Sequence, residues 1–111
     1  MTDHPRVTQI ETLGAELLDE ARHNQSHRAA RTIINGVAQR ATLIAFAQDA
    51  EMAEHGSPTA GTLHVLVGQV RLHTHDEEWL LDEGSLANLP PQRHGLRALA
   101  DSVVLLTIAL R

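Results

Sequence analysis

The chain has no cysteine, so disulfides, thiolate metal sites and cysteine nucleophiles are all excluded. All nine basic residues are arginine, and tyrosine is absent. Lysine Schiff-base chemistry, a P-loop lysine and tyrosine acid–base catalysis therefore have no residues to carry them. Aromatics are limited to Phe46 and Trp79, so the core must be aliphatic and a base-stacking platform is not expected. A net charge of −5 with neutral histidines argues against a nucleic-acid partner. No membrane span is expected, since runs such as Val103-Val104-Leu105-Leu106 are far too short to cross a bilayer. No charged-then-apolar leader is evident either, because Asp3, Glu11 and Glu16 punctuate the start, and a cytoplasmic location is expected.

With 111 residues and 42% hydrophobic content, the chain suits one domain around one core. The expected division is a loose terminus over 1–7, a helix within 8–24 and strands over 30–111. Eight histidines are the compositional excess, and they raise the question of metal.

Thr8 and Glu11 read as a capping box, and Ile10, Leu13, Leu17, Leu18 and Ala21 follow at helical spacing, which predicts a helix over about 9–22. Strands are predicted at Ala30–Ile34 and Arg40–Ala47, with the acidic stretch 49–54 as a connection. The spine of the chain is Thr62-Leu63-His64-Val65-Leu66-Val67, a β-branched and aliphatic run broken at Gly68 and continued by Gln69-Val70-Arg71-Leu72. Shorter strands follow at Trp79–Leu81, Leu86–Leu89 and Leu96–Leu99, and a last one at Val103–Leu110, with turns at Asp76-Glu77 and Asp82-Glu83-Gly84. Alternation places Leu63, Val65, Val70, Leu72, Leu86, Leu89, Val104 and Leu106 in the interior. The same rule turns His73 and His75, the only H-x-H in the sequence, towards solvent with Arg71. His64, opposite in parity to Leu63 and Val65, is expected at a packing contact.

Two glycine-led units organise the second half. The first ends at Gly68; the second runs Gly84-Ser85-Leu86-Ala87-Asn88-Leu89-Pro90-Pro91-Gln92-Arg93-His94. Together they resemble the paired motifs of the cupin superfamily, G-x5-H-x-H-x3,4-E-x6-G and G-x5-P-x-G-x2-H-x3-N. Counting back from Gly68, the two histidine positions fall on His55 and Ser57, and the glutamate position on Gly61. In the second unit Gly84 and Pro90 fit, Gln92 stands for glycine, and His94 comes one residue early. The resemblance implies an all-β fold, a small double-stranded β-helix (jelly-roll) barrel with one N-terminal helix outside it. It also implies a homodimer. The apolar stripe of the N-terminal helix needs cover from its own sheets or a partner's, which puts residues 9–34 at or near the expected contact.

The resemblance further implies a small-molecule ligand in the barrel, contacted by His55, Ser57 and His94. Arg93, beside His94, is placed to hold an anionic group. His55 and His94 occupy two of the four metal-liganding positions, so a divalent ion (zinc, iron, nickel, manganese or copper) is the cofactor they would hold. Three functions stand open: a small-molecule-binding cupin with a degenerate metal site, a mononuclear metal enzyme such as an oxygenase or isomerase, and the sensor domain of a regulatory system. The last would need a DNA-binding partner, since no helix–turn–helix is present. No serine sits in a nucleophile elbow, so nucleophilic catalysis is not expected.

Overall fold

The computed structural model describes residues 6–110; the expectation of a loose terminus falls mostly on residues outside that range. One helix, α1 (Ile10–His23), precedes nine strands: β1 (Arg28–Asn35), β2 (Gln39–Phe46), β3 (Glu51–His55), β4 (Gly61–Val67), β5 (Gln69–His73), β6 (Glu78–Asp82), β7 (Leu86–Asn88), β8 (His94–Ala98) and β9 (Ser102–Ala109). They form a five-stranded sheet, β1-β2-β9-β4-β7, and a four-stranded sheet, β3-β8-β5-β6, with every pairing antiparallel. Among the described residues each strand pairs only within its own sheet. The architecture is therefore an open sandwich, not the closed barrel implied by the resemblance. The edges β6 and β7 are joined by a turn but share no ladder, and they leave a seam.

The central strands of the larger sheet are buried on both faces, as their nearly continuous apolar runs require. On β2, Leu43 and Ala45 face the helix while Ile44 and Phe46 face the other sheet. On β9, Val103 and Leu105 lie on the helix side, and Val104 and Leu106 in the interior. The helix buries Leu17 and Ala21 against Ala29, Leu43 and Val103, so its apolar stripe is covered by its own sheet. The interior between the sheets joins Ile44, Phe46, Leu63, Val65 and Val104 to Val70, Leu72 and Leu96.

Several local expectations are corrected. The helix N-cap is Gln9, which makes no side-chain cap bond, and Leu13 N–H donates to Gln9 O at 3.0 Å. Helical backbone thus begins one residue later than a Thr8 cap requires, which moves Glu11 out of the third helical position where a capping box closes. The stretch expected as an acidic connection contains β3. Its Glu51 faces water and is bonded by Arg97 Nη1 at 2.6 Å, while Met52 packs against the interior, so only one inward apolar residue marked the strand. Leu86 is 68% exposed, because the β4–β7 register sets it opposite His64 and sets Ala87 opposite the buried Leu63.

Gly68 is where the chain leaves one sheet and enters the other, so the break in the spine is a change of sheet and not an outward continuation. Its φ is +88°, and a Cβ there would stand 2.4 Å from Asp101 O and 2.9 Å from Ser102 Cα. That corner is tied by Ser102, fully buried, whose Oγ accepts from Gln69 N–H at 3.1 Å and donates to Ala100 O at 2.7 Å. Beside it, Asp101 accepts Arg22 Nη2 at 2.8 Å and Gln48 N–H at 2.8 Å, linking the helix to the β2–β3 turn. The Arg22 hydrogen bond, with that of Gln48, holds the Asp101 carboxyl below its ordinary pKa. Among the described residues no helix is long and apolar enough to cross a membrane.

Gly84 shares the +88° φ of Gly68, but a Cβ there would meet nothing within 4 Å. The two positions separate backbone strain from steric exclusion. Gly84→Ala is expected to cost about 1–2 kcal/mol, the strain of a positive φ alone. Gly68→Ala adds a backbone clash and is expected to cost roughly 3–5 kcal/mol. Chemical denaturation of both variants checks this; equal losses would show that the corner tolerates a side chain.

Candidate functional site

The interior is not filled to both ends. At the end where β3 finishes and β8 begins, a cavity of about 310 Å³ opens between the sheets. Its walls are aliphatic: Ile44, Leu63, Leu106 and Ile108 from the five-stranded sheet, and Met52, Leu72 and Leu96 from the other. His55 and His94 also line it.

The β3–β8 ladder brings these two histidines together. They are direct cross-strand partners, beyond a bulge between Met52 and His55. Their rings meet edge to face, with centroids 4.9 Å apart and planes at 74°. His94 is 3% exposed, and its Nδ1 lies 2.9 Å from Gln92 O. His55 Nδ1 lies 3.3 Å from Gly56 O. A carbonyl accepts only, so in the neutral rings both Nδ1 atoms carry the proton and both Nε2 atoms keep a lone pair. Neither Nε2 has a hydrogen-bond partner among the described residues. The arrangement is a greasy chamber with two hydrogen-bond acceptors at its mouth.

The other sequence candidates divide. Ser57 lines the cavity, but its hydroxyl is donated to Pro90 O at 2.7 Å, fastening the segment after β3 to the one before β8. Arg93 is exposed and lies outside the lining; its Nη2 donates to Glu54 O at 3.0 Å. His73 lies on the outer face of the four-stranded sheet, 3.8 Å from Glu54 Oε2, and His75 is exposed. His64 stands on the outer face of the larger sheet, between Leu86 and Leu105 in register. Met52, Pro58 and Ile108 are wall residues that the sequence reading did not single out. Met52 was hidden by the acidic residues of β3, and alternation from Glu51 inward was the signal that would have found it.

The cupin motif places a carboxylate ligand where this chain has Gly61. That residue faces the interior, and the space of its missing Cβ is filled: an added Cβ would stand 2.8 Å from Leu89 Cδ1 and 3.2 Å from Ile108 Cγ2. Among the described residues no group of three or more histidine, cysteine, aspartate or glutamate side chains could hold a metal ion. Two imidazoles and a hydroxyl already committed to a carbonyl fall below the three or four protein ligands of a resident divalent centre, so the donor set does not fit that cofactor.

Two facing antiparallel sheets, a sheet change at a glycine and a histidine pair at one end between the sheets define the cupin fold, and the chain has it. It is similar to an RmlC-like cupin protein from Desulfovibrio desulfuricans, with 23% identity and a TM-score of 0.69 over 98% of this chain and 96% of that one. It is also similar to a cupin-2 domain containing protein from Shewanella frigidimarina, with 16% identity and a TM-score of 0.69 over 94% and 95% of the two chains. KdgF from Halomonas sp. matches at 20% identity and a TM-score of 0.68, over 80% of this chain and 84% of that one. No protein-family model and no curated protein matches the sequence.

If Leu89 occupies the carboxylate's place, glutamate alone will not rebuild a metal site. Gly61→Glu is expected to lower the melting temperature and to hold no zinc through dialysis. Gly61→Glu with Leu89→Ala frees the space and is expected to retain more zinc than either single variant, measured by elemental analysis. Zinc held stoichiometrically by the unaltered chain would overturn this account.

Proposed function

We propose that this chain is a small-molecule-binding cupin whose ligand lies between the sheets, with its polar end on His55 and His94. One observation carries the reading: two imidazoles whose Nε2 atoms have no partner among the described residues line a largely aliphatic cavity, a few polar groups over an apolar wall being the usual design of a ligand site. Two acceptors select a ligand whose polar end donates hydrogen bonds, a hydroxyl giving its one hydrogen to either ring. Ser57 contributes by holding the mouth together. Arg93 has no part in this reading because it is engaged on the outside. The metal-enzyme alternative lacks a third ligand among the described residues.

The test uses 1-butanol as the shortest convenient probe, at pH 8. Saturable shifts of the His55 and His94 imidazole ¹⁵N resonances are expected. His94→Leu keeps the wall apolar and is expected to weaken butanol about tenfold, roughly the worth of one hydrogen bond. Unchanged imidazole resonances at saturating butanol would remove the reading.

The reading also has the chain acting as a homodimer through the β1 edge, the part of residues 9–34 that the helix does not cover. β1 ends the larger sheet, and Ile34 and nearby Val37 are 47% and 75% exposed there. An open edge with apolar side chains is suited to pairing with a second copy. Sedimentation is expected to give twice the chain mass, falling towards one with Ile34→Glu and Val37→Glu combined; a monomeric parent protein would rule the dimer out.

A further inference from the structure

Among the described residues, no buried side-chain nitrogen or oxygen lacks a hydrogen-bond partner. His94 Nε2 has no partner, although the residue is only 3% exposed, so that small accessible remnant includes this nitrogen. The space beside it is the cavity that His94 lines, and Nε2 therefore opens into the chamber. His55 presents a second unpartnered Nε2 from the neighbouring ring, whose centroid is 4.9 Å away. Each ring is oriented by its Nδ1 on a backbone carbonyl, and the β3–β8 register sets the two side by side.

The rest of the lining narrows what binds there. No carboxylate and no guanidinium is among the residues that line this cavity, so a charged ligand would lose its hydration without gaining a counter-charge. The Ser57 hydroxyl is donated to Pro90 O, and both Nδ1–H groups are donated to carbonyls, so the lining keeps no free side-chain donor. A ligand carbonyl would be desolvated there without a hydrogen bond from a side chain. Two acceptors ask for two hydrogens, and one hydroxyl supplies only one. Hydroxyls on adjacent carbons supply one hydrogen to each of two neighbouring rings. At about 310 Å³ the chamber lies at the lower end of the range for ligand sites, so the apolar part is short.

We infer that the ligand class of this site is a short, uncharged alkane-1,2-diol, one hydroxyl donating to His55 Nε2, the other to His94 Nε2, and the alkyl end lying among the aliphatic walls. This rests on the reading proposed above and extends it from one donated hydrogen bond to two. The aliphatic walls make the position of the second hydroxyl matter as much as its presence. Placed at the other end of the chain, it would be buried among side chains such as Leu63 and Leu106, which accept no hydrogen bond.

The test titrates the full chain with 1-butanol, 1,2-butanediol, its isomer 1,4-butanediol, and butanamide, following the imidazole ¹⁵N resonances. 1,2-Butanediol is expected to bind about fivefold tighter than 1-butanol, the worth of one further hydrogen bond. 1,4-Butanediol is expected to bind more weakly than either, and butanamide more weakly than 1,2-butanediol. His55→Leu keeps the wall apolar and leaves one acceptor, so there 1-butanol and 1,2-butanediol are expected to agree within about twofold. In the unaltered chain, a 1,2-diol no tighter than 1-butanol would defeat this inference and leave the donor-binding reading intact. 1,4-Butanediol binding as tightly as its isomer would show that the second hydroxyl is not held by the imidazole pair, and would also defeat it. So would butanamide binding tighter than 1,2-butanediol, since one nitrogen would then supply both hydrogens. A fivefold diol advantage that survives in His55→Leu would remove the assignment of one hydroxyl to each ring. No imidazole response to any of these probes would remove the donor-binding reading itself.

Discussion

The structure depends on one close approach, that of the Gly68 backbone to Asp101 and Ser102. The chain changes sheets twice at this corner, once between β4 and β5 and once between β8 and β9. Each crossing uses the other as its wall. Gly68 supplies a positive φ and no side chain; Ser102 supplies a hydroxyl that accepts from one crossing and donates to the other. The hydrogen bonds of the buried hydroxyl offset its desolvation, whereas an apolar residue of the same size would leave the Gln69 N–H without its partner. The corner fixes how far β5 and β8 are displaced along the sandwich. It therefore also fixes how far β8 reaches at its other end.

That other end is the site. β8 begins at His94, directly opposite the last residue of β3, so the imidazole pair results from ladder register and not from a loop conformation. Register also explains why His94 can be nearly inaccessible without an unsatisfied proton: the turn before it returns the Gln92 carbonyl to its Nδ1. The same geometry orients each ring's remaining nitrogen without any second side chain. Ser57, by bonding Pro90 O, closes the two segments that flank the mouth, so the serine acts through the backbone and not through its acceptor strength.

How much of this was legible follows from what marks each strand. Val70 and Leu72 alternate cleanly with polar neighbours, Leu63 and Val65 share a parity across His64, and all four are buried as alternation requires. β3 escaped because its outward positions are acidic and its single inward hydrophobe is Met52; an edge strand with one wet face offers little periodic signal. Leu86 was misplaced because β7 is only three residues long, too short for parity to be read without its partner. The histidine pair was legible through the cupin resemblance, which set His55 by counting from Gly68 and placed His94 one residue from the counted position. The fate of Arg93 was not, since whether a mouth arginine turns inwards depends on a backbone carbonyl supplied from β3. Nor could the sequence tell a closed barrel from an open sandwich, since closure needs ladders at both pairs of sheet edges, β6 with β7 and β1 with β3, and neither is formed.

The seam and the missing carboxylate are linked through a single side chain. Gly61 removes an acidic stem from the interior, and Leu89 fills the space that stem would need. Leu89 is held there because β7 ends at Asn88 and the chain then turns through Pro90 and Pro91, neither of which can donate to a ladder. The short strand leaves the edge of the larger sheet unable to reach β6, so the sandwich stays open beside Trp79. Leu89 therefore makes this interior apolar at the position of the motif's glutamate from the same short segment that leaves the edge of the larger sheet unpaired.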